Sequence, residues 1–309
     1  MDAGTKKPCR QIGGDAGLAR RIVRTIDIMQ VKLARKLGFC GGVERAIESA
    51  QKALQAGNGP ISSLGEIIHN RQVVERLAAA GLNVIDDPAA ARGTVLIRSH
   101  GEGPEVLERL RQAGVQIIDA TCVLVKRAQQ IVAELARDGY RVVVIGQARH
   151  PEVQAVCGYA PGVVCVDRPE DLDQLPPGGK IGIICQTTHS PEHFGEMVGR
   201  IVARGYGEVK VVNTLCNEVA QRQAAAVELA RQVEVMFVLG GRQSANTREL
   251  ARLCGEHVPT HHLEGWEEFR PGMVAGKIAA GVTAGASTPR WIIEEFVDKL
   301  RVFDPSLEE

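Results

Sequence analysis

The chain contains no apolar run long enough to cross a membrane. A spanning helix needs roughly 18 uninterrupted apolar residues, and the strongest stretches, such as VMFVL, are strand-length. Net charge is also missing. The 37 basic and 37 acidic residues balance, so there is no basic footprint of the kind a nucleic-acid-binding protein carries. The leading segment lacks the apolar core of a secretory signal. The eight cysteines include no pair two to four residues apart, which is the spacing of a structural zinc site. A chain of 309 residues can bury enough core to dispense with a disulfide framework. Nor is there a nicotinamide fingerprint, because VIGQARHPEV and VLGGRQSANT lack the G-x-G-x-x-G spacing. These absences predict a soluble cytoplasmic protein with reduced thiols and with neither membrane nor nucleic acid as partner.

What the chain does have is a threefold pattern. Cys40, Cys122 and Cys216 end the apolar strand-like runs VKLARKLGFC, VQIIDATC and VKVVNTLC, and open the helix-like phrases CGGVERA, CVLVKRA and CNEVAQR. After each cysteine a helical stretch leads to a strand that ends in glycine, at Gly65, Gly146 and Gly240. Four residues beyond each glycine stands a polar group: His69, His150 and Ser244. A further strand then ends in a polar loop before Pro104, Pro191 or Pro289. This period is too long for a solenoid and fits a triplicated α/β unit.

Helical spacing of Val43, Ala46, Ile47, Ala50 and Leu54, and of Val125, Ala128, Ile131, Val132 and Leu135, alternates with short strands, which predicts parallel sheets and right-handed crossovers. Strands near Val84 and Val164 bring the first two units to four strands each. The expected organisation is an extension over residues 1–30, disordered or from a misassigned start, and α/β domains over 31–114, 115–208 and 209–309, the last ending in a helix.

Ligands of parallel sheets bind beyond the carboxyl ends of the strands, where all these polar groups fall. A cysteine at a helix start feels the positive end of the helix dipole, which favours the thiolate. Three thiolates from three domains can cap three corners of an iron–sulfur cubane and leave the fourth iron without a protein thiolate. Plainer roles stand beside these. The three cysteines also suit buried packing positions of a duplicated fold, and Cys157, Cys165, Cys185 and Cys254, in or near apolar stretches, read as small hydrophobes. His69-Asn70, His100-Gly101, Ser244, Asn246 and Ser287-Thr288-Pro289 read as caps and turns, although a helix N-terminus can cap and bind an anion together. Glu152, following Pro151, suits the first turn of a helix.

The phrases GFCGGVERAI, EIIHNRQVV, RSHG, DATC, RHPEV, QTT, GGRQSANT and GVTAGAS, in this order, resemble the 4-hydroxy-3-methylbut-2-enyl diphosphate reductase, or LytB, family. The resemblance covers the chain from Val31 onward. It implies a trefoil of three α/β domains around a [4Fe-4S] cluster held by Cys40, Cys122 and Cys216. It also implies an allylic diphosphate substrate reduced to isopentenyl and dimethylallyl diphosphate, the last step of the methylerythritol phosphate route, with ferredoxin or flavodoxin delivering electrons singly. The diphosphate pocket maps to His69, His100, His150, Ser244, Asn246 and Ser287. Glu152 maps to the proton source, with Thr187 relaying; the resemblance makes Glu152, Thr187 and His150 the catalytic residues, with Thr187 and His150 also binding substrate.

Two positions depart from the family pattern. Val123 stands where many members have proline, and Ala245 occupies a substrate-binding position where some have serine, which removes one phosphate donor. His189, His193, His257, His261 and His262 match no family motif and read as surface or structural residues. Three alternatives remain at this point. A quinolinate-synthase-like cluster enzyme shares one cysteine per domain, but RHPEV and QSANT favour the reductase. A non-enzymatic iron–sulfur sensor would tolerate loss of Glu152, and a histidine-based zinc hydrolase would carry zinc and no cluster.

Overall fold

The computed structural model describes Met1 and residues 29–57 and 59–303; the expected extension over residues 1–30 lies almost wholly outside the described residues. One element order repeats three times. The first round is β1 (Gln30–Leu33), α1 (Gly41–Ala56), β2 (Ile61–Leu64), α2 (Arg71–Ala79), β3 (Leu82–Ile85), β4 (Thr94–Ile97) and α3 (Pro104–Gln112). The second is β5 (Gln116–Asp119), α4 (Val123–Arg137), β6 (Arg141–Ile145), α5 (Pro151–Cys157), β7 (Val164–Val166), β8 (Lys180–Cys185) and α6 (Pro191–Val202). The third is β9 (Glu208–Val211), α7 (Asn217–Ala230), β10 (Val235–Leu239), α8 (Ala245–Gly255), β11 (Thr260–Leu263), β12 (Ala279–Ala284) and α9 (Arg290–Val302).

The described residues form three four-stranded sheets, ordered β3-β2-β4-β5, β7-β6-β8-β9 and β11-β10-β12-β1. Every pairing is parallel. The central strand β10 is buried along its whole length, as a parallel strand covered by helices on both faces must be. Among the described residues no helix is long and apolar enough to cross a membrane.

Sheets and sequence repeats are out of step by one strand. The strand leading into each cysteine completes the sheet of the round before it: β5 pairs with β4, β9 with β8, and β1 with β12. The helices explain the offset. Parallel neighbours need a helical crossover, and α3 and α6 are the crossovers into β5 and β9. The helices after the cysteines belong to the next sheet. Helix α1 buries Val43, Ala46, Ile47 and Ala50 in one core with Ile61 and Leu96. Helix α4 buries Val125, Ala128, Val132 and Leu135 with Val142, Val144 and Ile184, and α7 buries Ala226, Leu229 and Ala230 with Met236 and Val238. The repeat boundaries at 31, 115 and 209 therefore each fall within a residue of the start of a strand that the preceding sheet holds. Each cysteine stands at the passage from one sheet to the next.

The loops at the strand ends press against one another. Gly241 follows β10, and a Cβ added there would stand 2.5 Å from the His69 carbonyl oxygen of the first round. Gly241→Ala is expected to destabilise the protein by about 1–3 kcal/mol in urea unfolding, as overpacking against backbone does. Gly195→Ala, at a position in α6 where an added Cβ meets nothing within 4 Å, is expected to be neutral or stabilising by up to about 1 kcal/mol.

Candidate active site

Cys40, Cys122 and Cys216 are the N-cap residues of α1, α4 and α7. Loops of unequal length lead to them, yet their backbones are held alike. The amide of Cys40 donates to the Ala286 carbonyl at 3.1 Å, that of Cys122 to Ser99 at 3.0 Å and that of Cys216 to Thr187 at 2.9 Å. Each acceptor lies in the loop after the third strand of the sheet being left. The three cysteines are free and half-buried and line one cavity of about 110 Å³. A Cβ added at Gly42 would stand 3.0 Å from the Cys122 sulfur and 3.8 Å from that of Cys40. The second glycine after the first ligand candidate thus leaves room for thiols from two rounds.

The expected lowering of the thiol pKa by the helix dipole does not hold for two of the three. Burial pushes the Cys122 and Cys216 thiols up, and the neighbouring thiols add to the rise. Amides at the helix starts pull the other way, from Leu124 and Val125 for Cys122 and from Val219 and Glu218 for Cys216, but desolvation wins. Thiols in this state lose their protons to a metal cation rather than to water. The fully buried guanidinium of Arg222 donates to the carbonyls of Lys36 at 3.3 Å and Ala284 at 3.2 Å, and burial lowers its pKa against the raising effect of the nearby Cys40, Glu218 and Cys216.

Polar side chains line the same cavity. The rings of His69 and His100 stack with centroids 4.4 Å apart, and His150 meets them edge-on at 5.8 and 5.4 Å. Ser287 Oγ donates to the His69 carbonyl at 3.0 Å, which ties a loop of the third sheet to one of the first. The capping alternatives are also realised. Asn70 Oδ1 accepts from the Val73 amide at 3.1 Å, His150 Nδ1 from the Glu152 amide at 3.2 Å and Ser244 Oγ from the Thr247 amide at 3.3 Å. Because Asn70 caps α2, the His69 ring is left to face the cavity. Asn246 is 4% exposed, yet neither its Oδ1 nor its Nδ2 has a hydrogen-bond partner, and His100 Nδ1 is likewise buried and unpartnered. Buried orphans of this kind call for a ligand. Ala245 lines the same cavity with no side-chain hydrogen-bonding group to offer.

Glu152, also in this lining, is 3% exposed. Its Oε1 accepts from the Thr187 amide at 2.7 Å and its Oε2 from the Thr187 hydroxyl at 2.8 Å. Burial raises its pKa, against the lowering effect of the Thr187 donors and of His189. Cys40, Cys122, Cys216, His69, His100, His150, Glu152, Thr187, Ser244, Ala245, Asn246 and Ser287 all line the one cavity. Ser99 and Thr188 line it too without having been singled out, and their positions inside RSHG and QTT were the available signal. Among the described residues the remaining cysteines and histidines lie elsewhere. Cys185 and Cys254 are buried, and the sulfurs of Cys157 and Cys165 lie 3.1 Å apart. His262 contacts the Gly240 carbonyl at 2.8 Å, His261 stacks on Phe237, and His189 and His193 meet at Asp167.

Burial holds the three cavity imidazoles neutral. The pKa of His100 lies well below the ordinary value, that of His150 falls to about 3 and that of His69 is lowered. An unfolded chain takes up a proton on each histidine near pH 6.5, whereas folded His150 does so only near 3. Acid in that window therefore favours the unfolded state, by about 1.4 kcal/mol per pH unit for each such group. Chemical denaturation of the ligand-free protein is expected to show stability falling from pH 6.5 toward 3, with a shallower fall in His150→Gln.

The chain matches the LytB protein family model over residues 31–301. It is 46% identical over 280 residues to 4-hydroxy-3-methylbut-2-enyl diphosphate reductase of Citrifermentans bemidjiense, covering 89% of this chain and 98% of the relative. The enzyme of the same name from Geobacter sulfurreducens is 44% identical over 279 residues, with the same coverage. A solved structure of (E)-4-hydroxy-3-methyl-but-2-enyl diphosphate reductase, described as the terminal enzyme of the non-mevalonate pathway, superposes with a TM-score of 0.65 at 39% identity, covering 89% of this chain and 100% of that one. The E-1-hydroxy-2-methyl-but-2-enyl-4-diphosphate reductase of Plasmodium falciparum gives 0.83 at 26% identity, covering 87% of each chain. With family match, fold and cavity in agreement, the chain belongs to the LytB family.

Proposed function

We propose that this protein reduces (E)-4-hydroxy-3-methylbut-2-enyl diphosphate, the compound its relatives are named for reducing, to isopentenyl and dimethylallyl diphosphate. The reaction breaks the allylic C–O bond, takes up two electrons and two protons, and releases water. One observation carries the proposal: three cysteines from three sheet junctions, three neutral histidines and the Glu152–Thr187 pair line a single cavity.

Cys40, Cys122 and Cys216 would hold a [4Fe-4S] cluster. The donor set fits, since three thiols from separate elements share one space and Gly42 keeps that space open. When bound by three thiolates, such a cluster supplies electrons one at a time and has one iron free of protein thiolate. Without a nicotinamide fingerprint in the chain, a one-electron carrier such as ferredoxin or flavodoxin is the proposed donor, in a cytoplasmic setting.

The remaining steps fall to the protein's own side chains. The imidazoles of His69, His100 and His150, the Asn246 amide and the hydroxyls of Ser244 and Ser287 present donors to the diphosphate oxygens. A diphosphate brought among the three imidazoles would raise their pKa values, so binding draws protons into the site. Glu152 supplies the proton for the departing oxygen. Burial keeps its carboxyl protonated to higher pH than an exposed glutamate, and the Thr187 hydroxyl at 2.8 Å can take that proton while passing its own onward. The close burial of both groups keeps bulk water from short-circuiting the transfer.

Anaerobic turnover of the cluster-reconstituted protein with a one-electron reductant is expected to yield both five-carbon diphosphates. Glu152→Gln should lower kcat by about 10²–10⁴ with the cluster absorption intact, and wild-type turnover should decline as pH rises through the elevated Glu152 pKa. Asn246→Ala removes a donor to a charged ligand, worth about 1.5–3 kcal/mol, and should appear mainly in KM. Conversion by wild type equal to that of Glu152→Gln would refute the acid assignment.

A further inference from the structure

A second cluster of ligand-type side chains lies two residues along the chain from Thr187. Asp167 follows β7, His189 lies in the loop after β8 and His193 sits in the first turn of α6. Asp167 Oδ1 is 3.1 Å from His189 Nε2 and 3.4 Å from His193 Nε2. The three ligand atoms all lie within 4.8 Å of one another. The imidazole centroids are 4.8 Å apart and tilted by 43°, so both rings turn the same edge toward one carboxylate.

The two contacts are at ion-pair distance but lack good hydrogen-bond geometry. Both Nε2 atoms are buried, and neither has a partner of acceptable hydrogen-bond geometry despite the short distances to Asp167. The three ligand atoms are close enough together to share one ion. Ligands bound tetrahedrally at zinc–nitrogen and zinc–oxygen lengths stand roughly 3.4 Å from each other, close to both Asp–His separations. The backbone fixes each of the three residues beforehand. The Asp167 amide donates to Asp171 Oδ2 at 2.8 Å, the His189 amide to the Gln186 carbonyl at 3.2 Å and the His193 amide to Ser190 Oγ at 3.2 Å. All three side chains line a groove of about 930 Å³ shared with Gln147, Glu192 and Glu249, which gives an ion a path from solvent and room for water or a carboxylate as a further ligand.

We infer that Asp167, His189 and His193 form a binding site for a divalent ion of the zinc class, separate from the cysteine-lined cavity. Two imidazoles and a carboxylate are the donor set that such ions prefer. The site reaches Thr187 through the 186–189 turn. Gln186 accepts from the Gln147 amide at 3.0 Å and donates to Thr188 Oγ1 at 3.1 Å, while its carbonyl holds His189. An ion on His189 would therefore brace the same turn that presents Thr187 to Glu152.

The test is anaerobic equilibrium dialysis of cluster-loaded protein against Zn²⁺, with metal counting, zinc-edge X-ray absorption and thermal unfolding. Wild type should retain one zinc per chain with nitrogen and oxygen ligands at roughly 2.0–2.2 Å, and zinc should raise its Tm. Asp167→Asn and the milder, partly exposed His193→Gln should each bind zinc at least tenfold more weakly and lose the zinc-dependent rise, while His261→Ala behaves as wild type. No retained zinc, unchanged affinity in both variants, or a sulfur-ligated zinc at roughly 2.3 Å would each overturn the inference.

Discussion

The offset between sheets and repeats is the constraint on which the rest of this structure depends. Because β1, β5 and β9 each complete the preceding round's sheet while α1, α4 and α7 join the next core, the chain must pass between sheets at three equivalent places. Cys40, Cys122 and Cys216 occupy those passages, and their amides are anchored to Ala286, Ser99 and Thr187. A thiol on a strand or in mid-helix would belong to one sheet alone. Here each thiol is set by two cores at once, so the distance between any two thiols is a property of the whole ring.

Burial then determines the chemistry of the groups around that ring. Desolvation raises the Cys122 and Cys216 thiols and Glu152, and lowers His69, His100 and His150. In every case it disfavours the charged form. Burial therefore favours the neutral forms of all these groups. Charge becomes tolerable only with a countercharge: a cation for the thiolates, an anion for the imidazoles. The unpartnered Asn246 amide fits the same logic, since its hydrogen bonds are left for a ligand to complete.

Much of this was legible in the sequence because the pattern repeats. The strand–glycine–polar phrase recurs at Gly65, Gly146 and Gly240, and β2, β6 and β10 end immediately before those residues. Three features were not legible. The pairing of β1 with β12 joins the two ends of the described chain, and local periodicity carries no trace of so remote a partner. The thiol shift went against the helix-dipole expectation because depth of burial is not written in a capping motif. Asp167, His189 and His193 stayed hidden because the carboxylate comes from a different strand end than the histidines, and only the packing of β7 and β8 against β6 brings them together.

The most direct measurement is iron and sulfide content with ⁵⁷Fe Mössbauer spectroscopy on anaerobically reconstituted wild type and on Cys40→Ser, Cys122→Ser and Cys216→Ser. Four irons and four sulfides per wild-type chain, with one iron spectroscopically distinct from three, are expected, and each substitution should abolish or degrade the cluster. A wild-type cluster with four equivalent thiolate-bound irons, or one that survives unchanged when any of the three cysteines is replaced, would contradict a site built from the three sheet junctions.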